Sequence, residues 1–123
     1  MKTKIVYSDK TLNRLGWFFP IAGITLWPFV IIREKYKKHP YWISKAPKLI
    51  NHEEIHIKQQ AEMLVIPFYL LYAFFYLWNI FKYKFNVKKA YYRIPFEQEA
   101  FSNQSDYNYL TNRKLYSWVK YIF

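Results

Sequence analysis

The stretch LINHEEIHIKQQAE, residues 49–62, places two of the chain's three histidines four positions apart. On a helix, residues i and i+4 lie one above the other, so the imidazoles of His52 and His56 would point the same way. Two neutral imidazoles in that arrangement can hold one Zn²⁺. Glu53 follows the first histidine and would contact a water on the metal. The pattern therefore predicts a zinc-binding helix with Glu53 as general base.

The same residues have a simpler interpretation. His52 and His56 could face solvent at the start of a polar helix, with Glu53 and Glu54 favoured near its positive N-terminal end. An apolar stripe beside the histidines predicts that one side of the helix is buried and that the site lies at its border. The stripe consists of Ile50, Ile57, Ala61, Leu64 and Phe68.

A third metal ligand is expected from FEQEA, residues 96–100. Glu97 is favoured because Ala100 lies three residues further, on the same helical face, and a small side chain allows close approach to the histidine helix. Glu99 would point elsewhere, toward solvent or a supporting partner. His39 is a weaker candidate because it lies in a basic loop beside Pro40.

HEEIH followed by FEQEA resembles the gluzincin group of zinc metallopeptidases. The resemblance implies a zincin-like core, His52, His56 and Glu97 as zinc ligands, Glu53 as catalytic base, and a peptide or protein substrate. From about residue 15 the chain also resembles small bacterial membrane-associated proteins with an N-H-E-x-I-H-x-x-Q-Q core, an apolar stretch and F-E-x-E-A. Membrane-embedded gluzincins carry Asp after E-x-x-A, where this chain has Phe101.

The composition of the chain limits which other functions and metal sites are possible. The chain has no cysteine, which excludes disulfides and Cys-based metal sites. Its net charge of +11 and 24% aromatic content suit either an anionic membrane surface or single-stranded nucleic acid. Many of the aromatic residues lie in two long apolar runs, residues 15–32 and 63–81, where they do not alternate with Arg. This favours a bilayer or a core, and a basic nucleic-acid binder remains the third hypothesis.

We expect a single domain over residues 1–123 that is α+β and mostly helical. Residues 15–32 are apolar but interrupted by Gly and Pro, which predicts a strand or hairpin with Pro28 at an edge or bulge. An uncleaved membrane anchor is the alternative. Residues 33–48 are expected to form a basic loop.

The C-terminal half is expected to be helical. One helical stretch should run from about residue 49 to 82, interrupted only at Pro67. A basic connector should follow, then two helices. The first should start at Pro95, and an amphipathic one should cover roughly residues 107–122.

Residues 63–81 are apolar enough for a transmembrane helix. The lysines that follow would then face the cytoplasm, so we expect a membrane-associated protein on the cytoplasmic side, or alternatively a cytoplasmic one. A straight helix from His56 to Lys82 would be about 39 Å long, and Glu97 could not return to the histidines through the bilayer. The zinc hypothesis therefore requires residues 63–81 to bend or pack instead of spanning a bilayer, and Pro67 is the expected place of the bend. The alternative is a non-catalytic integral or peripheral membrane protein with incidental histidines.

Overall fold

The fold is taken from a computed structural model that describes residues 4–15 and 22–122. Three strands form a sheet: β1 (Lys4–Tyr7), β2 (Gly23–Leu26) and β3 (Phe29–Ile32). The order is β1-β3-β2, with β1 parallel to β3 and β2 antiparallel to it. The expected hairpin is present in the described part of 15–32. Pro28 lies in its two-residue turn after a cis peptide bond, so its expected place at an edge or bulge was wrong.

Short helices surround the sheet. α1 (Asp9–Leu15) follows β1, and α2 (Lys35–Lys38) and α3 (Pro40–Ile43) follow β3. The expected basic loop over 33–48 was therefore wrong, because both of its prolines start helices. Pro40 and Pro47 occupy the first turns of α3 and of the next helix, where a missing N–H costs nothing.

The expected helical stretch 49–82 consists of two helices, α4 (Ala46–Glu62) and α5 (Ile66–Lys82), bent by 115°. The bend lies at residues 63–65, before Pro67, which instead occupies the first turn of α5. Both helices end in the same hydrogen-bonded turn. Val65 N–H donates to the Gln60 carbonyl at the end of α4, and Phe85 N–H donates to the Ile80 carbonyl at the end of α5.

Three further helices and one 3₁₀ helix complete the chain: α6 (Val87–Tyr92), α7 (Pro95–Asn103), α8 (Tyr109–Asn112) and the 3₁₀ helix Ser117–Tyr121. The helix expected to start at Pro95 is found. The single helix expected over 107–122 was wrong. Arg113 is extended (ψ 133°) and Tyr116 is left-handed (φ 58°), so the helical path is interrupted twice.

Two apolar clusters form the core of the described residues. One joins the sheet to α2 and α4 through Val30, Ile32, Tyr36, Ala46 and Ile57. The other joins α5, α7 and the 3₁₀ helix through Phe68, Ile94, Phe96 and Trp118. α4 packs against both β2 and α7. The predicted α+β, mostly helical class is confirmed. The helix that carries the histidines, α4, connects the sheet to the C-terminal helices.

Within residues 4–15 and 22–122, no single helix is both long and apolar enough to cross a membrane. The bent pair of α4 and α5 meets the same criteria by length and composition.

Candidate metal centre

The histidines occupy the middle of α4 and are buried. His52 is 3% exposed and His56 is 5% exposed. The solvent-facing interpretation is therefore wrong. The expectation that they lie at the border of the buried side also changes, because β2 and α7 cover α4 from two directions. Glu53 is buried as well.

Glu97 reaches the histidines from α7. Its Oε1 lies 3.1 Å from His52 Nε2 and 3.0 Å from His56 Nε2. Ala100 is fully buried and α7 packs directly on α4, as the small side chain suggested. One ligand atom from each of these residues lies within 4.8 Å of the others. The structure thus brings together the three residues expected to bind a metal.

The far side of each imidazole ring is held by a glutamine. Gln104 Oε1 lies 2.9 Å from His52 Nδ1, and Gln59 Oε1 lies 2.7 Å from His56 Nδ1. The Gln59 amide group can be oriented in only one way, because its Nε2 donates to the Phe96 carbonyl and to the Glu99 carboxylate, which only accept. Its oxygen must therefore face His56, so His56 Nδ1 carries a proton.

This arrangement makes two acceptors face each other, His56 Nε2 and Glu97 Oε1. With Nδ1 protonated, the neutral imidazole presents an Nε2 lone pair to the Glu97 carboxylate, which also only accepts. Buried acceptors that face one another without a donor are costly, so a cation, either a proton or a metal ion, belongs between them. Burial lowers the pKa of His56, but the adjacent Glu97 carboxylate raises it to about 9 in the metal-free protein.

The pKa of Glu97 is shifted in the opposite direction to that of His56. Burial raises the pKa of Glu97, but the charge on His56 and hydrogen bonds from both histidines outweigh it and lower the pKa well below its usual range. The group is therefore an anion at neutral pH. Two imidazoles and one carboxylate are a ligand set found in catalytic zinc sites. The 3.0 and 3.1 Å separations are close to the ~3.3 Å between neighbouring ligands on a tetrahedral zinc.

Glu53 is held beside this centre by the hairpin. Thr25 Oγ donates to Glu53 Oε2 at 2.6 Å and is buried with it. Gly23 permits the close packing of β2 at this point. A Cβ there would lie 2.9 Å from the Ile32 side chain and 3.5 Å from Glu53 Oε1. The hairpin therefore fixes one carboxylate oxygen of Glu53, a residue that also lines the cavity beside this centre.

Two tyrosines support Glu97 from the opposite direction. Tyr72 on α5 donates from its hydroxyl to Glu97 Oε2 at 2.6 Å, which leaves Oε1 to the histidines. Tyr91 at the end of α6 lies beside the same carboxylate. Burial, and after it the charge of Glu97, raises the pKa of both phenols. Both tyrosines therefore remain neutral hydroxyl donors.

A cavity of about 340 Å³ opens onto these groups. Glu53, His56 and Glu97 form one wall. The remaining walls come from β2, α5 and α6 and are largely apolar or aromatic. They include Ile24, Leu26, Phe68, Tyr69 and Tyr91. A molecule in this cavity would meet the candidate ligands and Glu53 together.

Glu99 lies in a buried polar network instead of in the ligand set. Arg113 pairs with both Glu62 and Glu99, and all three side chains are at most 4% exposed. Burial raises the pKa of Glu99, but hydrogen bonds, led by that from Arg113, lower it. Glu99 in turn accepts from Gln59, which holds His56. Of the two expected environments, the supporting partner is found and solvent is not.

Sequence reasoning missed Gln59, Gln104 and Arg113. The QQ of residues 59–60 directly after the histidine motif was a usable signal for the first, whereas the other two lie on segments far away in sequence. His39 is exposed and lies outside the cluster. Phe101, which follows E-x-x-A, packs its ring edge-on against His52 at 4.5 Å, while Gln104 supplies the polar contact to that histidine.

No protein-family description, curated protein or solved structure matches this chain.

Proposed function

We propose that this protein is a zinc-dependent hydrolase of the gluzincin type, with His52, His56 and Glu97 as ligands and Glu53 as general base. The observation that carries the proposal is the convergence of His52 Nε2, His56 Nε2 and a Glu97 carboxylate oxygen, all buried and within metal-binding distance of one another. Their resemblance in sequence to the gluzincin motifs supports a zincin-like core around α4 and α7.

Zinc fits this donor set better than the harder divalent cations. Two imidazole nitrogens favour zinc and related transition metals, whereas Mg²⁺ and Ca²⁺ prefer an all-oxygen site. Three protein ligands leave a fourth position free, which is characteristic of catalytic zinc and not of structural zinc. The cavity beside His56 and Glu97 provides room at that position.

A bound zinc ion would polarise a carbonyl and lower the pKa of a water molecule. Glu53 would accept the proton from that water and pass it to the leaving group. Thr25 holds one of its oxygens at 2.6 Å, which orients the carboxylate. Tyr91 lines the same cavity and stays a hydroxyl donor, so it would stabilise negative charge that develops on the substrate.

The cavity also suits one kind of substrate side chain. Its walls are mainly apolar and aromatic, and a volume of about 340 Å³ accommodates an apolar side chain. A peptide substrate with such a side chain next to the scissile bond suits both the cavity and the resemblance.

The experiment compares two adjacent glutamates. Wild type, Glu53→Gln and Glu54→Gln are loaded with one zinc each and incubated with a mixed peptide library, and products are followed by mass spectrometry. We expect Glu53→Gln to retain zinc and lose hydrolysis by about 100-fold or more, because its amide cannot accept the proton. Glu54→Gln should retain both. Equal activity in all three, or no hydrolysis by zinc-loaded wild type, contradicts the catalytic proposal.

Two alternatives remain as predictions. A non-catalytic membrane protein with incidental histidines predicts zinc-free protein that pellets with membranes through carbonate washing. A nucleic-acid binder predicts retention on an oligonucleotide at low salt, with a steep loss as salt rises. Zinc-free purified protein would favour either over a zinc hydrolase.

A further inference from the structure

The most apolar helix of the protein turns most of its apolar side chains outward. α5 buries Phe68 on its inner face, but six large side chains on its opposite side are 54–69% exposed. They are Ile66, Leu70, Phe74, Leu77, Trp78 and Phe81. Their spacing of three and four residues makes a continuous stripe, which we call the outer face of α5. Soluble monomers rarely expose an apolar patch of this extent without a partner.

The end of this stripe is strongly basic. Residues 82–93 contain five cations and no acid, and residues 63–96 contain no acid at all. The five are Lys82, Lys84, Lys88, Lys89 and Arg93, and all are exposed. Within residues 4–15 and 22–122, no carboxylate forms an ion pair with any of them. An occupant of the outer face would therefore combine apolar surface with negative charge.

A second cavity joins the two features. It has a volume of about 390 Å³ and lies between α5, α7 and the C-terminal segment. Phe74, Phe75 and Trp78 form its apolar wall, and Lys82, Arg93 and Gln98 form its polar wall. A phosphate held between the lysine and the arginine would have its attached hydrocarbon directed along the aromatic wall.

We propose that the outer face of α5 docks on an anionic membrane surface, with a lipid headgroup phosphate between Lys82 and Arg93. Apolar side chains on one helical face with lysines at its edge are the composition of an interfacial helix. Clustered lysines near the surface add electrostatic attraction to anionic lipids. A second copy of the chain fits less well, since paired outer faces would bring further positive charge to a surface that has no acids.

Docking and the metal centre use opposite sides of the same helix. Tyr72, which holds Glu97, and Phe68 lie on the inner face of α5. Membrane binding should therefore not depend on metal. This independence separates the present proposal from the proposed hydrolase, because either can fail alone.

The test is co-sedimentation with vesicles of phosphatidylcholine alone or with 30% phosphatidylglycerol. We expect wild type to bind the anionic vesicles and the double variant Leu77→Gln/Phe81→Gln to bind about tenfold or more weakly, since two apolar groups no longer enter the interface. Lys82→Gln/Arg93→Gln should lose the preference for anionic vesicles. The matched control Tyr41→Gln/Ile43→Gln removes two exposed apolar side chains on α3 and should bind like wild type. EDTA and His56→Ala should leave binding unchanged.

Several results would overturn the proposal. One is no binding to anionic vesicles at low salt. Another is anionic binding that the Leu77→Gln/Phe81→Gln variant retains, which would indicate charge attraction without docking. A third is a wild-type protein that does not bind vesicles but forms a concentration-dependent dimer, which the Leu77→Gln/Phe81→Gln variant does not form. This result would assign the outer face of α5 to a second copy of the chain. Release of the vesicles by millimolar inorganic phosphate at constant ionic strength would support a phosphate site, and an unchanged preference in Lys82→Gln/Arg93→Gln would remove it.

Discussion

α4 and α5 are both 17 residues long and meet at a 115° bend, yet they reverse the usual relation between polarity and burial. α4 buries nine residues, and six of them are polar: Asn51, His52, Glu53, His56, Gln59 and Gln60. α5 is far more apolar and buries only Phe68 and Asn79. A polar helix can be buried when every polar group has a partner. Because an apolar helix this exposed is unusual in a soluble monomer, we propose a membrane surface as its partner.

The largest expected effect comes from removing the cation in the buried network at the end of α4. Arg113→Met leaves Glu62 and Glu99 buried without a counter-ion and should lower the free energy of unfolding by about 3–5 kcal/mol. The measurement is urea unfolding of metal-free protein. Arg14→Met, which alters an exposed arginine of α1, should change it by less than about 0.5 kcal/mol. Similar small values for both variants would mean that the network does not support α4.

A smaller effect is expected where the network meets the metal centre. Gln59→Leu removes the acceptor of His56 Nδ1 and should weaken zinc binding about 10–100-fold, because the ring loses its orientation. Competition with a chromophoric chelator measures this. Gln98→Leu, on the half-exposed side of α7, should leave the affinity unchanged. An equal loss in both variants would show that the effect is not transmitted through His56.

Zinc affinity should also depend on pH. In the metal-free protein, burial lowers the pKa of His56 but the Glu97 carboxylate raises it by more, to about 9, so zinc must displace a proton at neutral pH. Affinity should rise about tenfold per pH unit from pH 7 to 9 as that proton is lost. Proton release on zinc addition, followed with an indicator dye, measures it. Affinity that does not change over this range would contradict a protonated His56.

His56 and Glu97 should also make the stability of the metal-free protein depend on pH. The raised pKa of His56 contributes stability that is complete below about pH 6.5 and is lost as pH rises through about 9. The lowered pKa of Glu97 contributes stability that is present above about pH 4.5 and is lost on acidification. With EDTA present, the contribution of the His56–Glu97 pair to thermal stability should therefore be greatest between about pH 4.5 and 6.5. A steady rise in stability from pH 6.5 to 9 would contradict this.

The smallest expected effect concerns the outer face of α5. Leu70→Gln and Leu77→Gln should each change the free energy of unfolding by less than about 0.5 kcal/mol, because these side chains are more than half exposed in the folded protein. Urea unfolding measures this without lipid. A loss above about 1.5 kcal/mol in either variant would mean that the face is covered within the protein.

The histidines and Glu97 could be predicted because their relation is local. Spacing of four residues places two rings on one helical face, and Ala100 identified the face of α7 that approaches α4. The hairpin in 15–32 was predicted for a similar reason, from β-branched residues bounded by turn formers. The nature of the domain as one unit, the membrane association and the substrate class remain predictions.

The features that were not predicted from the sequence depend mainly on contacts between residues that are far apart in the chain. Arg113 interrupts the expected helix 107–122 because it extends to two carboxylates that lie 51 and 14 residues away in sequence. No periodic pattern records such a pairing. The end of α4 was also hidden, since Leu64 and Val65 adopt positive φ where the usual signal is glycine. Pro67 was visible in the sequence and was therefore assigned the bend that those two residues make.

The central claim is that α4 is buried around a zinc ion held by His52, His56 and Glu97. Its most direct test is the zinc content of protein purified without chelators, measured by inductively coupled plasma mass spectrometry beside two histidine variants. We predict about one zinc per chain in wild type and in His39→Ala, whose histidine is exposed and outside the cluster, and none in folded His56→Ala. Zinc-free wild type that also fails to take up added zinc, or zinc retained in His56→Ala, would contradict the claim.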